Sequence, residues 1–213
     1  TKEQKEVFEI RKAGLNILMS MKGDKKPVAF IEDCAVSLDH LADYTAQLKE
    51  IFKKYNTSGM FYAHASVGTL HIRPVLNMKS DEDIKNMRSI SEESFEIVKN
   101  YKGSHSGEHG DGIVRSEFHE MMFGKKIVNA FEEIKDTFDS KNLLNPGKIV
   151  RPFKSNDRSL MRYKSGYQAQ NISTHYDWSN WGQFTDAVEM CNNNGACRKL
   201  DSGVMCPSYR VTK

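Results

Sequence analysis

Apolar side chains recur at helical spacing in three long stretches of the chain, residues 3–21, 38–52 and 80–98. Such a period predicts amphipathic helices, each turning one face toward a core. Ser37 stands where a helix N-cap is expected, directly before the second stretch. Two shorter helices are predicted at residues 117–122 and 125–138.

Three apolar runs are short enough to predict strands, at residues 27–31, 60–64 and 70–76. Val67 and Gly68 are expected to form a hairpin-like bend between the last two. The order helix, strand, helix, strand, strand, helix is typical of an α+β domain. In that class, helices cover an antiparallel sheet.

The chain of 213 residues has room for one sizeable domain and an appendage. Its net charge of +3 is spread along solvated helix faces, so nucleic-acid binding, which needs a basic stripe, is not indicated. No apolar run is long enough to span a membrane, and the charged first residues do not resemble a signal peptide. We therefore expect a cytoplasmic location, with peripheral attachment at the inner face of a membrane left open.

Composition changes along the chain predict three regions. Residues 1–152 form the α+β domain, residues 153–185 form a polar linker, and residues 186–213 form a cysteine-containing tail. The tail holds Cys191, Cys197 and Cys206, whereas Cys34 is expected to be a small buried apolar side chain. Since nothing indicates secretion, the clustered cysteines favour a metal over a disulfide.

The strongest chemical signal is the segment Ser-Gly-Glu-His-Gly-Asp-Gly at residues 106–112, taken together with His64 and His71. Glycines allow the tight loop that brings a carboxylate and an imidazole to one point. Two histidines and one glutamate can form a metal site, with a further histidine available for proton transfer. The alternative is a pair of strand histidines with ordinary hydrogen bonds and an unremarkable loop.

Three motifs extend this signal along the chain: His64-x6-His71, Ser106-Gly107-Glu108-His109-Gly110, and Phe138-Asp139-x4-Leu144-Asn145-Pro146-Gly147-Lys148. With them, residues 11–150 resemble the C-terminal domain of FAD-linked oxidases that act on D-2-hydroxy acids. That family includes D-lactate and D-2-hydroxyglutarate dehydrogenases and the flavin subunit of glycolate oxidase. The resemblance implies a ferredoxin-like α+β fold with an antiparallel sheet.

The resemblance also implies roles for individual residues. His64, His71 and Glu108 would hold a divalent metal, with zinc the expected ion, and His109 would take the proton of the substrate hydroxyl. Hydride would pass to FAD, near which the resemblance puts Asn145. The alternative for Asn145-Pro146-Gly147-Lys148 is a turn with a purely structural role.

A 2-hydroxy acid also needs a cation for its carboxylate. Arg11 corresponds to a substrate-binding arginine on the first helix of the family. Arg73 shares a strand face with His71, and Arg115 is a third candidate that we favour less.

Two departures from the family pattern leave the substrate open. Val67 and Thr69 replace the usual Asp and Asn between the histidines. Ile31 or Glu32 falls near the position of a family lysine, so one carboxylate contact is expected to be lost.

The tail resembles the start of an iron–sulfur domain fused behind such oxidases, whose pattern is Cys-x2-Cys-x2-Cys-x3-Cys-Pro. Cys191 and Cys197 match its first and third positions and Cys206 its last, whereas Asn194 occupies the second. A [4Fe–4S] cluster is expected in the full-length protein, and this segment is one thiolate short. Zinc is an alternative occupant.

The leading hypothesis is therefore the substrate-binding part of a flavin-dependent D-2-hydroxy-acid dehydrogenase that passes electrons to FAD and then to iron–sulfur centres. Because the first residue is not Met, we expect a piece of a longer chain. The resemblance implies that the FAD-binding domain of that chain is absent from this piece, which is therefore expected to be inactive alone. The alternatives are an electron-transfer or docking module whose cysteine tail is the working part, and a structural zinc protein. The particular 2-hydroxy acid, the electron acceptor and a homo-oligomer are left open.

Overall fold

The computed structural model describes residues 1–191 together with residues 195, 198 and 211, except for the side chains of residues 15 and 16. The chain divides into two compact units. The terminal unit comprises Thr1–Gly23 and Ala169–Lys213, and the central unit comprises Asp24–Gln168.

A four-stranded antiparallel sheet forms the centre of the central unit. Its strands are β1 (Lys25–Pro27), β2 (Cys34–Ala35), β3 (Gly59–His64) and β4 (Thr69–Asn77), and the first three each pair with β4. The β3–β4 register runs from Gly59 opposite Pro74 to His64 opposite Thr69.

The turn between β3 and β4 requires glycine at Gly68. This residue has a φ of 72°, a left-handed conformation that side chains rarely adopt. In addition, a Cβ at this position would collide with the carbonyl oxygen of Val36. The predicted bend is therefore present, with a single 3-10 turn at Ala65–Val67 leading into it.

Helices α2 (Leu41–Lys54) and α3 (Asp81–Asn100) pack against each other and bury their apolar faces in the core. The Ser80 hydroxyl caps α3 by accepting a hydrogen bond from the backbone N–H of Asp83 at 3.3 Å. The core also contains side chains from β4 and from the segment before β2, among them Phe30, Ile31, Ile72 and Leu76.

Three further helices follow in the central unit: α4 (Gly112–Arg115), α5 (His119–Phe123) and α6 (Lys125–Phe138). The terminal unit contains α1 (Lys2–Met19) and α7 (Phe184–Glu189). No helix among the described residues has the length and apolar character needed to cross a membrane.

The predicted α+β class with an antiparallel sheet is confirmed. Four details of the prediction are wrong. Helix α1 does not turn an apolar face toward a core, since side chains such as Val7 and Ile10 are 65% and 70% exposed. The first strand is Lys25–Pro27 rather than residues 27–31. A 3-10 turn at Leu38–His40 precedes α2, so Ser37 makes no side-chain cap bond. The helix expected at residues 117–122 begins only at His119.

Residues 153–185, expected to form a linker, run from the central unit, which ends at Gln168, into the terminal unit. They contain 3-10 turns at Arg158–Leu160 and Ser179–Trp181 and the first residues of α7.

Candidate functional site

One face of the β3–β4 hairpin carries most of the polar side chains of the sheet. The register pairs Tyr62 with His71 and His64 with Thr69. Because alternate residues of a strand share a face, Arg73 lies on the same face as His71. The opposite face contributes Leu70 and Ile72 to the core.

The glycine-rich loop brings Glu108 to this face. Glu108 Oε1 lies 2.9 Å from His71 Nε2, 3.6 Å from His64 Nε2 and 3.6 Å from His109 Nε2. The side chain of His71 is only 4% exposed, whereas those of His64, Glu108 and His109 are 42–44% exposed. The structure therefore brings together the four residues that the sequence predicted for the metal site and the base, on a surface open to small molecules.

Asp33 determines the conformation of this loop. Its Oδ2 accepts hydrogen bonds from the backbone N–H groups of Glu108 at 2.7 Å and His109 at 2.8 Å. Its carbonyl oxygen accepts from the N–H of Gly107 at 2.9 Å. A Cβ at Gly107 would lie 2.9 Å from that oxygen, so the close approach depends on glycine.

Arg115 lies behind the loop and binds residues that support it. Its guanidinium is buried, forms an ion pair with Asp33 Oδ1 and donates to the carbonyl oxygens of Glu32 and Gly110. Burial alone would raise the pKa of Asp33, but the two backbone donors and Arg115 outweigh it and leave that pKa below its ordinary value. Arg115, the third candidate for the substrate anion, thus has a framework position instead.

Glu32 lies behind His71 and was not assigned a role in the site from the sequence. Its Oε1 is 3.4 Å from His71 Nδ1 and accepts hydrogen bonds from Tyr62 Oη at 2.7 Å and Arg73 Nη2 at 2.8 Å. His71 Nδ1 makes no hydrogen bond, but the carboxylate stands on the side of the ring where metal-bound histidines commonly have a carboxylate partner. Burial lowers the pKa of His71 despite the opposing effects of Glu32 and Glu108, which favours the neutral ring.

Aromatic stacking fixes the His71 ring. It lies between Tyr62, with ring centroids 4.6 Å apart, and His109, with centroids 5.0 Å apart. Tyr62 was not predicted, and only its position opposite His71 in the strand register reveals its role.

The predicted arginines have different surroundings. Arg73 lies on the predicted face, but one terminal nitrogen is engaged by Glu32 and by Tyr62 Oη, the latter at 3.3 Å. Arg11 is an exposed residue of α1, in the terminal unit.

A cavity of about 580 Å³ in the central unit has both His109 and Asn145 in its lining. The apolar part of its wall comprises Phe131, Ile134, Leu144, Ile149 and Val150. Asn145 has a φ of 47°, and its side-chain oxygen accepts a hydrogen bond from Lys148 Nζ at 3.2 Å. The predicted base and the predicted flavin contact therefore share one mostly apolar cavity.

Asp139, in the motif at residues 138–148, has a structural role. Its carboxylate accepts hydrogen bonds from the N–H groups of Leu143 and Leu144 and from Lys135 Nζ, at 2.9, 2.8 and 2.5 Å. These bonds hold the turn that presents Asn145 to the cavity.

The cysteines of the tail are described only in part. Cys191 is a free, exposed thiol. Asn194, Cys197 and Cys206 lie outside the described residues. Cys34 is fully buried, as predicted, and burial raises its pKa to about 12.

Residues 1–149 match the family of FAD linked oxidases, C-terminal domain, and the chain belongs to that family. It is 34% identical over 213 residues to a D-2-hydroxyglutarate dehydrogenase of Pantoea ananatis, an alignment that covers 97% of this chain and 20% of that protein. It is 35% identical over 208 residues to a D-2-hydroxyglutarate dehydrogenase of Pseudomonas putida, again covering 97% and 20%. A glycolate oxidase subunit GlcD of Bacillus subtilis is 29% identical over 141 residues, 66% of this chain and 29% of that protein.

The chain thus spans about a fifth of the length of the D-2-hydroxyglutarate dehydrogenases that it matches.

Proposed function

We propose that this chain provides the substrate side of an FAD-linked oxidation of a D-2-hydroxy acid to a 2-oxo acid. The observation that carries the proposal is the approach of His64, His71 and His109 to one oxygen of Glu108, at 2.9–3.6 Å. The names of the relatives support a D-2-hydroxy acid as substrate, and membership in the FAD-linked family supports FAD as the cofactor.

The residues suit a divalent metal with open coordination positions. The ligand atoms of His64, His71 and Glu108 lie within 4.8 Å of one another, and the exposed side of the set leaves room for a substrate. Two imidazoles and one carboxylate are a common ligand set for a catalytic zinc. A metal held there supplies Lewis-acid chemistry to the substrate hydroxyl and carboxylate, and FAD supplies hydride acceptance.

His109 is the proposed base. Its ring stacks on His71, and its Nε2 lies 3.6 Å from Glu108 Oε1, next to the position where the substrate hydroxyl would be bound. An imidazole beside the bound hydroxyl can take its proton as hydride leaves the carbon. The hydrogen bonds that the N–H groups of Glu108 and His109 donate to Asp33 Oδ2 hold the two residues in place.

The substrate anion is assigned to Arg73 and Arg11. Arg73 lies on the same face as His71, and its bond to Glu32 orients the guanidinium while reducing its effective charge. Arg11 is proposed as the second cation on the basis of its match to the family pattern.

The remaining cofactor assignments are also proposals. Asn145 would contact the flavin, since it lines the same cavity as His109. Cys191, Cys197 and Cys206 would contribute thiolates to a [4Fe–4S] centre, and a cytoplasmic location fits this chemistry.

The test is the metal content of the purified chain, measured by plasma mass spectrometry, for the parent and for His64→Gln and Glu108→Gln. Both variants are expected to lose one equivalent of zinc relative to the parent, because each removes one of three ligands. In the full-length flavoprotein, His109→Gln is expected to keep the metal and to lower kcat by about 10²–10⁴-fold. Unchanged metal content in both ligand variants would contradict the metal assignment.

A further inference from the structure

A second cluster of two histidines and one carboxylate lies beneath the loop. His105 stands near the start of the loop, Asp111 near its end, and His119 begins α5. Asp111 Oδ2 lies 2.9 Å from His119 Nε2, and Asp111 Oδ1 lies 3.6 Å from His105 Nε2. One ligand atom from each residue falls within 4.8 Å of the other two. None of the three residues belongs to the set around Glu108.

His105 has an unusual environment for a polar side chain. It is 1% exposed, and neither ring nitrogen has a hydrogen-bond partner. The rings of Phe95 and Phe123 pack edge-on against it, with centroids 5.3 and 5.6 Å away. Asp111 Oδ1 is also buried without a hydrogen bond. Buried polar atoms normally have partners, and His105 Nε2 and Asp111 Oδ1 lie 3.6 Å apart with no hydrogen bond, so they are placed to share a cation.

His119 gives a second, independent indication. Its Nδ1 lies 3.2 Å from the carbonyl oxygen of Ile149, and its Nε2 lies 2.9 Å from Asp111 Oδ2. Both neighbours are acceptors, whereas a neutral imidazole has only one N–H. A cation between Nε2 and the carboxylate removes this conflict. Nδ1–H then donates to the backbone carbonyl, as the second nitrogen of metal-bound histidines commonly does.

We propose that His105, Asp111 and His119 bind a divalent transition-metal ion of the zinc class, at a site distinct from the one around Glu108. Nitrogen and carboxylate donors suit this class of ion. The two histidines are buried and the Asp111 side chain is 18% exposed, so the site is nearly closed. We assign the ion a structural role and its fourth position to a water molecule beside Asp111. The ion would tie both ends of the loop that carries Glu108 and His109 to α5.

The surrounding charges are compatible with a cation. Asp111 and Asp33 contribute two negative charges, and the Arg115 guanidinium, whose Nε is 4.0 Å from Asp111 Oδ1, contributes one positive charge. Burial lowers the pKa of His105 to about 4, although Asp111 opposes the shift, so its ring is neutral near pH 7 and its lone pair is available. The competing arrangement is a doubly protonated His119 paired with Asp111 and no metal.

The proposal does not depend on the proposed function, because the two sites share no ligand and can be removed one at a time. Zinc content would be measured for the purified chain and for His105→Phe, His119→Gln and His64→Gln. His105→Phe keeps an aromatic ring among Phe95 and Phe123 and removes both nitrogens. His40→Gln is the matched control, since His40 is exposed, stacks on Tyr101 and belongs to neither cluster.

The parent chain and the His40→Gln control are expected to bind one equivalent more zinc than His105→Phe or His119→Gln. The His64→Gln chain is expected to keep the zinc ion that His105→Phe and His119→Gln lose. Because a buried variant can fail to fold, Co²⁺ would also be added to the His64→Gln chain, whose His105, Asp111 and His119 are unaltered. Two shifted imidazole N–H resonances in its proton spectrum are then expected. A His64→Gln chain that is folded by circular dichroism and binds neither Zn²⁺ nor Co²⁺ would overturn the proposal.

Discussion

At the scale of single residues, two carboxylates that follow an apolar run organise the candidate site. Glu32 faces His71, and Asp33 binds the backbone of Glu108 and His109. The sequence gives His64, His71, Glu108 and His109 a recognisable spacing. Glu32 and Asp33 belong to no such pattern, because their roles depend on long-range contacts that only the folded chain creates.

Replacing Asp33 with Asn should destabilise the chain by about 3–5 kcal/mol, because it leaves the buried Arg115 guanidinium without its ion-pair partner. Urea unfolding measured by circular dichroism would give the free energy of unfolding. Asp39→Asn, at an exposed position, is the control and should change it by less than about 0.5 kcal/mol. Equal effects of the two substitutions would exclude the framework role of Asp33.

Replacing Glu32 with Gln should weaken zinc binding at the Glu108 site by about 10–100-fold, because the carboxylate beside His71 Nδ1 is lost. Chelator competition would measure the affinity, with the exposed Glu50→Gln as the control. An affinity equal to that of the parent would show that Glu32 does not position His71.

At the scale of secondary-structure elements, the helical period predicted α2 and α3 because each buries one apolar face, and short apolar runs predicted the strands of the β3–β4 hairpin. The same period predicted α1, but apolar side chains on it such as Val7 and Ile10 are exposed. The first strand was misplaced for a physical reason. Residues 28–31 are apolar because they enter the core, but the chain there leaves the sheet toward Glu32 and Asp33. The sequence did not predict α4, because a helix of only four residues is too short to show an apolar period.

Glu117 links elements that are far apart in sequence. Its side chain is 2% exposed and accepts hydrogen bonds from Arg88 Nη1 of α3 at 2.8 Å and from the Ser155 N–H at 2.7 Å. Burial would raise the pKa of Glu117, but the bonds from Ser155 and Arg88 outweigh it and lower that pKa. The resulting stabilisation is therefore complete above the unfolded-state pKa of about 4.3 and is lost as the pH falls through the folded-state pKa.

Urea unfolding from pH 7 to pH 3 should therefore show a smaller loss of stability for Glu117→Gln than for the parent, together with a lower stability at pH 7. Glu96→Gln, exposed on α3, should reproduce the pH profile of the parent. Parallel profiles for the parent and Glu117→Gln would contradict the assignment.

At the scale of the whole molecule, membership in the FAD-linked oxidase family rests on residues 1–149, and the candidate site lies within that range. The family could be recognised from the sequence alone because three motifs occur along the chain in the expected order. The cluster of His105, Asp111 and His119 had no such signal. His105 directly precedes the glycine-rich segment and His119 follows it on α5, so the two meet only when α5 packs beneath the loop.

Metal binding should stabilise the chain as a whole. If zinc binds only the folded state, a concentration of about 100 times Kd adds about 2.7 kcal/mol for each site. For a chain of this size, that gain corresponds to a rise in Tm of roughly 5–11 °C per site. Scanning calorimetry with zinc, compared with magnesium as the control ion, would measure it, and equal Tm values in the two ions would contradict zinc binding.

The most direct test of the central claim is the anomalous diffraction of a crystal of this chain grown with zinc and measured at the zinc edge. We predict a peak about 2.0–2.2 Å from His64 Nε2, His71 Nε2 and Glu108 Oε1, with His109 beside it. A well-ordered loop with no anomalous peak between these three side chains would contradict it.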